Sequence, residues 1–165
     1  MSKKMIAVHR TLFLISILIL AASLIFYLIK WNSLPDNIGI HFAEDGQFDV
    51  FASKFYGFYP HAVGGIFIAG AAAAHFLTDR IKLGLKISKE GERVFKTEFC
   101  FTLDCLLVLL SLFFANWSLS VAFQVPLNMS IVSILIYIML AVIAVGIVLG
   151  VITCQKHKEK KERQR

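Results

Sequence analysis

The stretch "TLFLISILILAASLIFYLI", residues 11–29, carries no charged side chain from end to end. A predominantly apolar run of about 20 residues is long enough to cross the hydrocarbon core of a bilayer as a helix. Three further runs of this kind follow, at about residues 56–78, 99–117 and 129–154. The sequence therefore predicts an all-α membrane fold, a four-transmembrane-helix bundle.

The composition agrees with a protein built for lipid. The chain has 165 residues, of which 58% are hydrophobic and 17% charged. Soluble domains average roughly 45–50% apolar and about 25% charged residues. We expect one integral membrane domain over residues 1–165. Its first span is longer than the apolar core of a signal peptide, which indicates an uncleaved anchor.

The distribution of positive charge predicts an orientation. Fifteen of the seventeen Lys and Arg residues lie before the first span, between the second and third, or after the fourth. Positive charge is retained on the cytoplasmic side. Both termini, a loop at 79–98 and a basic tail at 155–165 are thus predicted to be cytoplasmic, and the loop at 30–55 extracytoplasmic. The net charge of +6 is therefore not taken as a sign of nucleic-acid binding. The basic tail can lie against the anionic surface of the lipid bilayer, although a solvated tail with no specific partner is the favoured interpretation.

The extracytoplasmic loop has the pattern of a short β-hairpin. Apolar residues alternate with small or polar ones on both sides of the Asp-Gly turn in "EDGQ", residues 44–47. Pro35 is expected to end the first helix, and Ser53 to cap the second.

Metal binding in this loop is a weaker interpretation. His41, Asp45 and Asp49 recur at four-residue intervals, which would align them on a helix, but the Asp-Gly pair interrupts any helix there. The spacing also differs from that of an EF-hand. Turn formation is the favoured role, and neither a metal nor another cofactor is predicted.

The loop resembles a known bacterial family. The residues that carry the resemblance are Leu34, Pro35, Asp36, Ile38, His41, Phe42, Gly46, Asp49, Ser53 and Lys54. They are similar to the pattern of domain of unknown function 1648, the front part of the SdpI-type immunity proteins, although Gly39 stands where that family usually has a second proline. The resemblance implies a multi-pass protein of the bacterial cell membrane that gives protection from a secreted peptide toxin or signals its presence.

Two polar residues fall inside the predicted spans at similar depth. His75 lies near the end of the second span and Asp104 near the start of the third. Since a charged group in the bilayer needs a partner or local water, we expect a hydrogen bond between them. A role in packing is favoured, and the alternatives are a proton or ion relay and simple snorkelling of the side chains to the headgroups.

Small residues predict where helices meet. They are Gly65, Ala69 and Ala73 in the second span, and Gly146 and Gly150 in the fourth. Contacts within one chain are favoured over a homodimer face, and the oligomeric state stays open.

No catalytic motif is present in the sequence, so we predict no catalytic residues and no enzyme. The favoured function is a non-enzymatic toxin-immunity or envelope-stress sensing factor, whose outer loop engages a secreted peptide or another membrane protein. The alternatives are a small transporter or channel component that uses His75 and Asp104, and a structural accessory subunit of a membrane complex.

Overall fold

The computed structural model describes residues 3–82, 84 and 86–162. It contains four long helices, namely α1 (Lys3–Lys30), α2 (Tyr59–Arg80), α3 (Lys89–Phe123) and α4 (Met129–Glu162). A two-stranded sheet, β1 (Asn37–Phe42) and β2 (Phe48–Ser53), connects α1 to α2. Each helix overlaps a segment that is long and apolar enough to cross a membrane. The predicted helices and the small sheet are therefore confirmed.

Helix α3 occupies the centre of the structure. It packs against α1, α2 and α4, whereas α1 and α2 touch each other much less. Helices α1 and α3 run in the same direction, and α2 and α4 run in the opposite one. We call the end that carries the sheet the hairpin end, and the end that carries Lys3 and Glu162 the tail end.

The predicted loop at 79–98 is mostly helical, so that prediction is wrong over residues 89–98. The Ser88 side chain caps α3 by accepting a hydrogen bond from the Gly91 amide at 3.1 Å. Acidic Glu90 and Glu92 occupy the first turn, where the helix dipole favours negative charge. Gly91 leaves room for His157 of α4, because a Cβ atom at residue 91 would lie only 2.5 Å from the His157 Cβ. Leu83 and Leu85 of the predicted loop lie outside the described residues.

The segment predicted as a tail is also largely helical, since α4 continues to Glu162. His157 is only 7% exposed, and its Nδ1 lies 3.1 Å from the Ser88 Oγ. Thr153, one turn earlier, donates a hydrogen bond to the Glu98 carboxylate at 2.8 Å. Polar contacts with α3 thus continue the pairing of the two helices beyond their apolar parts. Residues 163–165 of the predicted tail lie outside the described residues.

The hairpin is antiparallel and bends over the hairpin end of the bundle. Its register is irregular between Gly39 and His41 and again between His41 and Phe42. Gly46 makes the turn at φ 82°, a conformation that glycine adopts without strain. Ile38 is 1% exposed and packs with Tyr27 and Val121, both completely buried.

Ser53 does not cap α2, contrary to the prediction. A short 3₁₀ segment, Lys54–Phe58, separates the two, and the Ser53 side chain makes no capping hydrogen bond. Helix α2 begins at Tyr59 and has Pro60 in its first turn. Proline fits there because it lacks only an N–H that the first turn leaves unpaired.

The small residues of α4 and α2 behave differently. Gly146 and Gly150 face α3, with Thr102 and Phe95 against them, as the favoured interpretation expected. Gly65, Ala69 and Ala73 instead point away from the other helices, and a Cβ at Gly65 would meet nothing within 4 Å. The prediction of contacts within one chain is wrong for this stripe, because the adjacent face of α2, which carries Gly64 against Leu20, makes the contact.

Candidate functional site

The loop residues that carry the resemblance mostly hold the hairpin together. Leu34 and Ile38 are buried in the cluster at the hairpin end. Asp36 accepts a hydrogen bond from the Lys54 amide at 2.9 Å through its backbone oxygen, and its side chain lies 3.5 Å from the Lys54 Nζ. This pair closes the base of the hairpin, immediately after Pro35 and Ser53.

The turn of the hairpin is fixed to the rest of the chain in two ways. The rings of Phe42 and Phe48 lie 4.5 Å apart across the strands. The Gly46 oxygen accepts a hydrogen bond from the Leu127 amide, in the connection between α3 and α4, at 2.9 Å. The turn is therefore held against the bundle and does not project freely.

The three loop residues considered as metal ligands do not converge. His41 Nδ1 lies 2.6 Å from Asp49 Oδ1, and both side chains are exposed. Asp45 accepts a hydrogen bond from the Gln47 amide at 2.9 Å and so supports the turn. Among the described residues, no third ligand joins the His41–Asp49 pair.

The outward edge of β1 is closed by α3. Gln124 accepts a hydrogen bond from the Gly39 amide at 2.9 Å and donates one back to the Gly39 oxygen at 3.3 Å. The Trp117 indole donates to the Ile40 oxygen at 3.2 Å. The Trp117 side chain of α3 and the side chain of Gln124, the C-cap residue of that helix, thus bond to the backbone of Gly39 and Ile40.

The edge of β2 is open. Gly39 directs its N–H toward Gln124 and is paired with Phe51, so this is a non-hydrogen-bonded pair and Phe51 directs its own N–H and C=O away from β1. Among the described residues, no group from outside the sheet bonds to the Phe51 backbone. The side chains of Val50 and Phe51 are 46% and 65% exposed.

A buried polar cluster lies near the tail end of the bundle. Asp104 is completely buried and has a histidine on each carboxylate oxygen: His9 Nδ1 lies 2.5 Å from Oδ2, and His75 Nε2 lies 2.7 Å from Oδ1. The hydrogen bond expected between His75 and Asp104 is therefore present. One ligand atom from each of the three residues lies within 4.8 Å of the other two. We call His9, His75 and Asp104 the tail-end cluster.

A second, partly buried polar cluster lies near the hairpin end. His61 Nε2 is 3.2 Å from the Ser23 hydroxyl and 3.0 Å from the Ser118 hydroxyl. We call these three residues the hairpin-end cluster. The Tyr27 ring packs beside His61 at a centroid distance of 6.2 Å, and its hydroxyl donates to the Lys54 oxygen. This cluster lies directly beneath the base of the hairpin.

The two clusters occur at equal spacing on three helices. His9 and Ser23, His75 and His61, and Asp104 and Ser118 are each separated by fourteen positions, or roughly 21 Å of helix. Midway between them, Ser16 on α1 and Ser111 on α3 are also buried.

Sequence reasoning missed His9, because the first span was predicted to begin only at Thr11. The sequence did contain a signal for it. His9, Ser16 and Ser23 repeat every seven residues, as do Asp104, Ser111 and Ser118, which places each set on one face of its helix.

No protein-family model, curated protein or solved structure matches the chain.

Proposed function

We propose that the protein is a non-enzymatic sensor or immunity factor of the bacterial cell membrane, and that its hairpin recognises an extended peptide segment by adding it as a third strand beside β2. The partner is a secreted peptide or an exposed segment of another membrane protein. The single observation that carries the proposal is the difference between the two edges of the sheet. Gln124 and Trp117 close the edge of β1, whereas that of β2 is open.

An open strand edge presents unpaired N–H and C=O groups and accepts an added strand from another chain. Proteins usually prevent such pairing with charged side chains, with proline or with an element that covers the edge. Besides exposed Asp49, which is paired with His41, the β2 edge carries exposed Val50 and Phe51, which offer apolar contact to an added peptide. The hydrogen bonds of Gly46 in the turn and Gly39 in β1 hold the hairpin against the bundle, which lowers the entropic cost of binding.

The proposal includes an orientation, with the hairpin outside the cell and both termini in the cytoplasm. The excess of Lys and Arg at the tail end supports it. An impermeant maleimide applied to intact cells is expected to label a cysteine introduced at Phe51 but not one introduced at Lys156, in a chain whose native cysteines are replaced by serine. The reverse pattern would contradict both the orientation and the proposed function.

The test of recognition compares Phe51→Pro with Phe51→Ala. Proline removes the outward N–H of Phe51 without touching a hydrogen bond of the ladder, whereas alanine keeps that N–H and loses only the side chain. Cells that produce the chain are challenged with a panel of secreted antimicrobial peptides, and growth inhibition is compared with that of cells lacking it. We expect protection against at least one peptide, partial loss with Phe51→Ala and complete loss with Phe51→Pro.

Two results would contradict the proposal. Protection that persists in Phe51→Pro would remove the β2 edge from the mechanism, and no protection against any peptide of the panel would remove the immunity role. Proline at exposed Ile66 of α2 is not a suitable control because it would break a helix. Ala52→Gly in β2 is better matched, since it loosens the strand but keeps every backbone donor.

A second candidate function, a small transporter or channel component, is favoured by the polar clusters. Asp104 and two histidines lie at one level of the bundle and His61 with two serines at another, with Ser16 and Ser111 between them. Proton flux into liposomes that contain the protein, followed with an internal pH dye, tests it. Flux above that of empty liposomes, abolished by Asp104→Asn, would support this function, and flux equal to that of empty liposomes would exclude proton conduction.

A further inference from the structure

We infer that the tail-end cluster is a binding site for one divalent transition-metal ion of the Zn²⁺ class, held by His9, His75 and Asp104. The inference does not depend on peptide recognition at the hairpin. It rests on three potential ligands that converge from α1, α2 and α3, with one ligand atom of each within 4.8 Å of the others.

The donor set fits the class of metal. Two imidazole nitrogens and one carboxylate oxygen are common ligands of Zn²⁺, Co²⁺ and Fe²⁺, with metal–ligand distances of about 2.0–2.2 Å for zinc. Calcium and magnesium prefer all-oxygen sites. Three protein ligands leave a coordination position for water or another small ligand, as in catalytic zinc sites.

The hydrogen bonds of the cluster indicate how it would open to a metal. A carboxylate only accepts hydrogen bonds, so His9 donates from Nδ1–H and His75 from Nε2–H. A bound ion would take the place of these two protons between the nitrogens and the carboxylate. Each imidazole would then carry its proton on its other nitrogen. Both rings would stay neutral, and neither would have to release a proton.

One buried atom of the cluster lacks a partner. His9 Nε2 has no hydrogen-bond partner among the described residues. With the proton on Nδ1, that nitrogen keeps a lone pair that no donor satisfies, and such an atom is costly to bury. An outer partner normally fixes which nitrogen of a metal-binding histidine carries the proton. Because His9 Nε2 has no such partner among the described residues, its ring can take the proton on Nε2 when Nδ1 binds an ion.

A groove gives access to the cluster. It lies between α1 and α2, has a volume of about 430 Å³, and is lined by His9 and His75 together with Arg10 and apolar side chains. His75 is 26% exposed in it, whereas Asp104 is completely buried. An ion can thus reach the cluster through His75, while the Asp104 carboxylate that would bind it stays buried.

The experiment uses the full chain in detergent, without a histidine tag and freed of metal by a chelator. Co²⁺ is titrated as the spectroscopic probe, and Zn²⁺ is then added in competition. We expect one equivalent of Co²⁺ per chain with visible absorption bands of four-coordinate cobalt, which Zn²⁺ displaces. Binding should weaken at acidic pH, because the histidine ligands must be neutral.

Asp104→Asn is the main variant, since asparagine can still accept a hydrogen bond from one histidine and donate one to the other. We expect it to keep the helical circular dichroism of the parent and to lose at least tenfold in Co²⁺ affinity, as should His9→Ala and His75→Ala. The matched control is His41→Ala with Asp49→Ala, which removes the exposed histidine–aspartate pair of the hairpin. His157→Ala controls for the remaining histidine of the tail end.

The inference is overturned if the parent chain binds no Co²⁺, if Asp104→Asn binds it as tightly as the parent, or if the hairpin or His157 controls abolish binding. If the Asp104→Asn chain still protects cells from a peptide, the proposed function does not depend on the metal site. If Phe51→Pro keeps its protection, the β2 edge is excluded from the mechanism, but the metal site is unaffected.

Discussion

Tyr27 of α1 donates a hydrogen bond to the backbone oxygen of Lys54, the residue that immediately follows β2. The phenol ring is completely buried, and the rings of Trp31 and Phe58 pack edge-on or tilted against it and each other. A Cβ at Gly57 would collide with the Tyr27 hydroxyl. The Tyr27 hydroxyl, which lies among aromatic rings, thus joins the base of the hairpin to α1.

Tyr27→Phe removes this hydrogen bond and leaves a carbonyl without its donor. We expect the free energy of unfolding to fall by about 1 kcal/mol, measured by thermal or denaturant unfolding in detergent. Tyr137→Phe, which removes the hydroxyl of a tyrosine that is 72% exposed on α4, should have no measurable effect. An equal effect of the two substitutions would show that the bond to Lys54 does not stabilise the fold.

Asp104 should be more important for stability than any other single polar residue of the bundle. Asp104→Ala leaves the N–H groups of His9 and His75 without an acceptor, at about 1–3 kcal/mol for each buried donor. Asp104→Asn is expected to cost less because it keeps two hydrogen bonds. The measurement is unfolding in the presence of a chelator, which excludes any contribution from metal. Equal stability of the two variants would contradict this account of the cluster.

Gly146 and Gly65 form a matched pair of glycines in long helices. A Cβ at Gly146 would lie 2.7 Å from the Thr102 side chain, whereas one at Gly65 would meet nothing within 4 Å. We expect Gly146→Ala to destabilise the protein by about 1–3 kcal/mol through overpacking. Gly65→Ala should be neutral or stabilising by up to about 1 kcal/mol through helix propensity. Destabilisation by Gly65→Ala would indicate that this stripe packs against a second copy of the chain.

Gln124→Ala should loosen the closed edge of β1. The Gly39 amide loses its acceptor, and its hydrogen exchange is expected to become about tenfold faster, which corresponds to about 1.4 kcal/mol. Amide exchange followed by mass spectrometry measures this change. Gln155→Ala, on the exposed face of α4, is the control. Unchanged exchange at Gly39 would mean that Trp117 alone holds the strand.

The parts of the fold predicted from sequence are those that depend on composition and short spacing. Long apolar runs predict helices wherever they occur, because a lipid-exposed backbone must satisfy its own hydrogen bonds. The Asp-Gly turn at residues 45–46 predicts a hairpin for an equally local reason, the positive φ that Gly46 adopts. Neither prediction requires knowledge of which helices touch.

The parts missed depend on contacts between distant segments. Helix α3 begins ten residues before the predicted third span because Ser88 caps it and His157 packs against it from α4, and neither interaction is visible in the local composition. Which glycine of the Gly64–Gly65 pair faces inward depends on the rotation of α2 about its axis, which Leu20 fixes. His9 was missed because polar residues beyond an apolar run are usually assigned to solvent, and its partner Asp104 lies on a distant segment of the chain.

The central position of α3 has a consequence for biogenesis. Helices α1 and α2 have little contact with each other, and the contact between Ser23 and His61 is one of the few polar links between them. If the helices enter a bilayer in chain order, as the proposed function implies, His9 has no carboxylate partner until Asp104 is made. Synthesis of α3 is then the step that completes the packing of the first three helices.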